Sequence, residues 1–284
     1  MMRVLRLNTW KALPVIVLTV FLSACTNQLA YNTLPFWIDY YLSDYVTLTS
    51  KQQTQLDNDL EAFHQWHRAT ELPKLQALLV QLERDMSQPL SYSQVRAYHS
   101  YANERILASL EGLTPAIATL IRSLNDEQAA QWLAVLSENI EEAVGKANKG
   151  SLKAQQERRQ EKLVERAEFW IESVGSKQSQ QFFEMATYQI EMRPVFYAIR
   201  DDLMGELTLI LTERNAPNLE SRINDYFARL VTFQSDEHQS DITLYLARRY
   251  ELLQRIDKHL SDEQRTTMRK KLASISSDIS ALVN

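Results

Sequence analysis

Cysteine, glycine and proline are scarce in this chain: 284 residues contain one cysteine, Cys25, five glycines and seven prolines. A single cysteine excludes any disulfide within the chain and any zinc site built from paired cysteines. So few glycines leave no Gly-rich loop to cradle a phosphate, and there is no Gly-x-Ser-x-Gly elbow for a nucleophilic serine. Strand-rich folds spend many Gly and Asn residues on tight turns, so the shortage argues against sheets. Basic residues are also short after the first two dozen positions. Twenty-eight of the 31 lysines and arginines, and all 36 acidic residues, follow Ala24, a formal charge of −8. An acidic domain is a poor partner for nucleic acid or for anionic lipid headgroups.

What is present begins with an address. Arg3, Arg6 and Lys11 precede an uncharged apolar run from Ala12 to Leu22. That is the n-region and h-region of a secretory signal, and the run is roughly half the ~20 residues a membrane-spanning helix needs. Leu22-Ser23-Ala24-Cys25 follows, and it resembles the lipobox of bacterial lipoproteins. Residues 1–24 are therefore expected to be a signal peptide and Cys25 the lipid-bearing first residue of the mature chain. The resemblance implies a diacylglyceryl thioether on Cys25, with acyl chains contributing ~0.8 kcal/mol per buried methylene. Thr26, where a retained lipoprotein tends to carry Asp, implies the periplasmic face of the outer membrane. The remaining ~260 residues are enough for an ordinary core without disulfides.

After Thr49 the apolar residues recur at helical spacing, as in Leu56, Leu60 and Phe63, or Leu75, Leu78, Leu79 and Leu82. Further helix starts are expected near Ser91, Pro115, Asn125, Ser151, Ser176, Val195, Leu219, Asp236 and Ser261. The expected fold is all-α, a bundle of about ten helices. Several starts share one local pattern: an apolar residue, a capping residue, two variable positions, then Gln. It reads Leu48-Thr49 with Gln52, Leu90-Ser91 with Gln94, Leu124-Asn125 with Gln128 and Leu260-Ser261 with Gln264; Val174-Gly175 with Gln178 is a degenerate copy. This is a capping box, in which side chains at the cap and at N3 satisfy each other's backbone amides. The pattern resembles the Leu-Thr-x-x-Gln motif of Spy-type periplasmic stress chaperones, which makes a chaperone-like role an alternative reading. Gly145 to Gly150 breaks the chain, and Lys153 to Lys162 lacks any large apolar residue. Two helical halves, 25–148 and 151–284, are expected to pack together, joined by an exposed polar helix. Seven basic residues between Lys146 and Arg166 face three glutamates, which reads as a solvated helix face rather than a basic patch.

Two segments carry chemistry-bearing side chains. Tyr31, Phe36, Trp37, Tyr40, Tyr41 and Tyr45 crowd the residues just after Cys25, and no lysine or arginine occurs from Thr26 to Ser50. Without basic residues an interfacial helix on an anionic bilayer is disfavoured, so a core-packing stripe is expected. On a helix, His64, His67 and Glu71 share one face and could hold zinc or act as an acid and base pair. Their spacing differs from His-Glu-x-x-His and no fourth ligand is visible, so hydrogen-bonding histidines are expected instead. Glu184 and Glu191, with Arg193, Arg200, Asp201, Asp202 and Glu206 beyond them, read as a charged solvated face.

The chain resembles a family of proteobacterial envelope lipoproteins of unknown function through Leu29-Ala30-Tyr31-Asn32, Trp37, Tyr40-Tyr41-Leu42, Asp44-Tyr45 and Gln52-Gln53. The resemblance ends with His64-x-Trp66-His67-Arg68 and Glu71-Leu72-Pro73. It implies lipidation and a helical fold and supplies no activity. The expectation is a non-enzymatic envelope protein without a cofactor, bound to the membrane through Cys25. It would meet another envelope component through Tyr31, Trp37, Tyr41, His64, Trp66, His67, Arg68 and Glu71. A metal-dependent enzyme using His64, His67 and Glu71 is the third reading.

Overall fold

The computed structural model describes residues 31–283, and the expected signal segment and Cys25 lie outside the described residues. Among the described residues there are eleven α-helices and no strand. In chain order they are α1 (Leu34–Ser43), α2 (Ser50–Thr70), α3 (Leu72–Asp85), α4 (Tyr92–Ser123), α5 (Asp126–Asn148) and α6 (Leu152–Ile171). The remainder are α7 (Ser176–Glu191), α8 (Arg193–Thr212), α9 (Leu219–Thr232), α10 (Gln239–Lys258) and α11 (Asp262–Val283).

The sequence punctuation explains most boundaries. Thr49, Ser91 and Asn125 cap α2, α4 and α5 with complete capping boxes. Pro73 and Pro194 fall in the first turns of α3 and α8, where a missing N–H costs nothing. Pro115 behaves differently from expectation: it starts no helix and sits inside the long α4. The continuity there comes from tertiary support. Thr114 is buried, its hydroxyl shared between the Leu110 carbonyl and the Asn224 side chain of α9, and its neighbours Ala116 and Ala118 are buried as well.

The boxes do more than cap. The side-chain amides of Gln52 and Gln128 bond each other reciprocally at 3.0 and 2.8 Å, while each donates its second N–H to a backbone carbonyl just before its partner helix, Ser123 and Thr47 respectively. Gln178 and Gln264 repeat the arrangement in the second half at 2.9 and 3.0 Å, with His259 and Ser173 as the loop acceptors. Two helix starts are thereby joined back to back with every amide hydrogen satisfied. Gly175 has no side chain to cap α7, so only the Gln178 half of its box forms.

The two halves interlock. α4 is the spine, packing on α2, α9 and α10, while α3 of the first half pairs with α11 of the second and α8 pairs with α5. The largest core brings Leu56, Leu60, Ile121 and Leu124 against Ile210, Leu211, Leu219 and Ile223. A second core closes Tyr31 and Leu72 over Ile275, Ile279 and Leu282. The polar helix α6 exposes Lys153, Glu157, Glu161 and Lys162 but docks its other face on α7. Its polar first half docks through hydrogen bonds, Gln160 donating to the Ser179 carbonyl at 2.8 Å and Arg159 to the Gln189 side chain at 2.5 Å, while Leu163, Val164 and Ala167 further along pack on the cluster of Phe182 and Met185. A stretch without large apolar residues can thus be half buried when its partners supply acceptors.

Candidate functional site

The His-Trp-His-Arg segment occupies the last turns of α2, and its geometry follows from which face of that helix is covered. Tyr31 crosses this face with its ring centroid 4.4 Å from that of His64 and 5.9 Å from that of His67. Tyr31 is 1% exposed, and His64 and His67 are buried beneath it. His64 Nε2 donates to the Tyr31 carbonyl at 3.0 Å, which fixes its tautomer because a carbonyl can only accept. Ser109 on α4 gives its hydroxyl hydrogen to the Arg105 carbonyl at 2.8 Å, leaving its oxygen to accept from His67 Nε2 at 3.2 Å. His67 Nδ1 is then the acceptor for the Tyr31 hydroxyl at 3.1 Å. This chain of bonds places one proton on His67, at Nε2, and makes its ring neutral.

The protonation of the two histidines agrees. Burial, opposed by Glu71 and reinforced by His64, holds the pKa of His67 down to about 4. Burial and the nearby Arg68 hold His64 below its ordinary value, and burial pushes the Tyr31 phenol up to about 12. Arg68 sits 5.6 Å over the Tyr31 ring and donates to Asn32 at 2.7 Å, so the strap is fastened on both sides. Glu71, also 1% exposed, ends the network between Arg105 Nη1 at 3.1 Å and Lys74 Nζ at 2.7 Å.

Acid should therefore loosen the protein in a defined window. Between the unfolded value of 6.5 and the folded value of about 4 for His67, the unfolded chain binds a proton that the folded chain refuses. Stability is complete above pH ~6.5 and falls as pH drops, by about 1.4 kcal/mol per pH unit for that one group. Urea titrations at pH 7.5, 6 and 5 should show this slope. His67→Gln should take up one proton fewer on unfolding at pH 5.5, and an unchanged uptake would show that His67 is not held neutral.

The expected site residues separate into two groups. Tyr31, His64, His67 and Glu71 turn inward and are occupied by one another and by Ser109, Arg105 and Lys74. Among the described residues no three of His, Cys, Asp and Glu converge as a metal ion would require. Trp66 lies flat against α4 at Gly112, where a Cβ would collide with the indole, and is 36% exposed. Tyr41 is half-buried. Trp37 belongs to the second group, and here the core-stripe expectation fails. Phe36, Trp37 and Tyr40 are 60%, 40% and 49% exposed, because α1 turns Ile38 and Leu42 toward the core and leaves its other face uncovered. Ring centroids of 5.5, 5.9 and 6.4 Å make these three one continuous aromatic patch. Ser109 and Arg105 escape sequence reading because they lie 42 and 34 residues from their partners in an ordinary amphipathic helix.

Glu184 is held by Arg255 through both carboxylate oxygens at 3.0 and 2.7 Å, and Glu206 pairs with Arg229. These acids form the ion-paired surface that their spacing suggests. No helix among the described residues is long and apolar enough to cross a membrane.

An interlocked bundle of eleven helices among the described residues, with a strapped histidine pair and one bare aromatic helix face, makes this an all-α protein. The chain matches the family of unknown function DUF6279 over residues 44–239 and belongs to it. No curated protein and no solved structure matches it.

Proposed function

We propose that the chain is a lipoprotein carried on Cys25 at the periplasmic face of the outer membrane, where it works as a non-enzymatic binding module. The observation that carries this reading is the placement of the aromatic patch. Phe36, Trp37 and Tyr40 lie bare together on α1, nine residues or more after Cys25, while the other large exposed apolar side chains, Trp66, Leu152, Leu209, Leu244 and Val283, fall on five different helices. A contiguous aromatic patch on an otherwise charged surface marks a binding face. The side chains that suggested catalysis, His64, His67 and Glu71, are committed to holding Tyr31 and Arg105, which favours binding over chemistry. Four glutamines of the Spy-like helix starts are likewise committed to each other, Gln52 to Gln128 and Gln178 to Gln264, so those motifs act as joints between helices.

Intact mass and membrane fractionation of the native protein beside Cys25→Ser test the address. The native form should carry the lipid mass and sediment with outer membrane, and the variant should be released. Native protein that is soluble and unmodified would remove the lipid anchor and the localisation together.

A further inference from the structure

The occupant of the α1 aromatic face follows from its distance to the anchor. Tyr31 is fixed to α2 by its ring, its carbonyl and its hydroxyl, so the chain has no slack beyond that point. Five residues lie between Cys25 and Tyr31, and the six steps of chain that join them span at most about 20 Å. α1 begins three residues later. A lipid inserted at Cys25 therefore holds α1 within reach of the bilayer surface whatever path the leash takes.

The chemistry of the face suits the boundary of a bilayer. Trp and Tyr pair an apolar ring with a polar edge and concentrate at the level of lipid headgroups, and Phe36 adds an apolar wedge beside them. Charge selects the kind of surface. Asp39 and Asp44 are the ionisable side chains of this segment other than its tyrosines, and no lysine or arginine lies between Thr26 and Ser50. Attraction to anionic headgroups therefore contributes nothing, in contrast to polybasic membrane-binding segments. We infer that Phe36, Trp37 and Tyr40 form a membrane-resting face that inserts into the interfacial layer of a zwitterionic bilayer and sets the orientation of the lipid-anchored domain. This rests on the lipidation of Cys25 proposed above. α1 becomes the floor of the domain, with the rest of the bundle facing away from the lipid.

The test uses purified lipidated protein on phosphatidylcholine vesicles whose acyl chains carry bromine near the headgroup. The Trp37→Phe variant, measured in parallel, isolates the emission of that tryptophan from Trp66, Trp132 and Trp170. The expected result is bromine quenching of the wild type that is largely lost in Trp37→Phe. Quenching should be unchanged by 0.5 M salt and not increased by anionic lipid. A triple variant, Phe36→Ser, Trp37→Ser and Tyr40→Ser, should keep its far-ultraviolet circular dichroism and thermal midpoint, because these rings cover no core. Protein that sediments with the vesicles while Trp37 stays unquenched overturns the membrane-resting face and leaves the anchor intact. Protein that carries no lipid and does not sediment overturns the anchor itself, and the inference with it. A concentration-dependent dimer of Cys25→Ser that the triple variant abolishes, seen by sedimentation velocity, would assign the face to a second copy of the chain and also overturn the inference.

Discussion

Replacing Glu71 with alanine is expected to destabilise the protein by about 3–5 kcal/mol, the usual consequence of leaving one member of a buried ion pair without its partner. Glu71 is the buried counter-ion of Arg105, whose Nε already has no hydrogen-bond partner and whose remaining carboxylate neighbour, Glu104, is exposed. Lys74 loses less, because it is largely exposed and turns to water. The effect should spread to the Tyr31 strap, since Arg105 also supplies the carbonyl that orients Ser109 and, through it, His67. Urea unfolding monitored by circular dichroism measures the loss, and proteolysis between Cys25 and α1 should become faster. A loss under about 1 kcal/mol would mean that the pair is solvated in practice and that the strap stands by itself.

The second large effect is expected at the opposite end of α3. Asp257, near the end of α10, accepts the Leu90 amide at 2.5 Å and the Arg265 guanidinium at 3.0 Å. Arg265 in turn reaches the Met86 and Gln88 carbonyls at 3.2 Å. One buried carboxylate thus ties the loop between α3 and α4 to the junction of α10 and α11, across 167 residues of chain. Asp257→Ala should cost about 3–5 kcal/mol, because it strands both a buried amide and a buried guanidinium. Asp257→Asn retains an acceptor and should cost less, about 1–3 kcal/mol. Equal losses in the two variants would show that charge, and not the acceptor to Leu90, carries the interaction. Because Asp257 ties the two halves together, the wild-type protein should unfold in a single transition; a split transition would show that the halves fold independently.

The histidine cluster illustrates how a site can be half legible. The periodicity of residues 56–71 places His64, His67 and Glu71 on one face, and the structure keeps them there, buried. Their use could not be read, because Tyr31 and Ser109 approach from 33 to 42 residues away. Two histidines and a glutamate at helical spacing serve a zinc ion or a tyrosine strap equally well until their other neighbours are known.

The aromatic segment went the other way. Six aromatics in fifteen residues suggest a core stripe by density alone. Only Tyr31 among them is fully buried, because α1 spends its inward face on Ile38 and Leu42 and none of the described residues covers the far side. Composition measures how much apolar surface a segment has, and only the packing partners decide how much of it is covered.

By itself the sequence determined the helices and where most of them begin. A capping box, a proline in a first turn and apolar spacing of three and four act within one or two turns, so their meaning survives without the rest of the chain. Tertiary structure decided what those helices do to one another. It paired Gln52 with Gln128 and Gln178 with Gln264, carried α4 through Pro115, docked the polar first half of α6 by hydrogen bonds, and left one aromatic face bare. Each of these depends on groups far apart along the chain, and hydrogen-bond satisfaction and burial are properties of the assembled neighbourhood rather than of any segment within it.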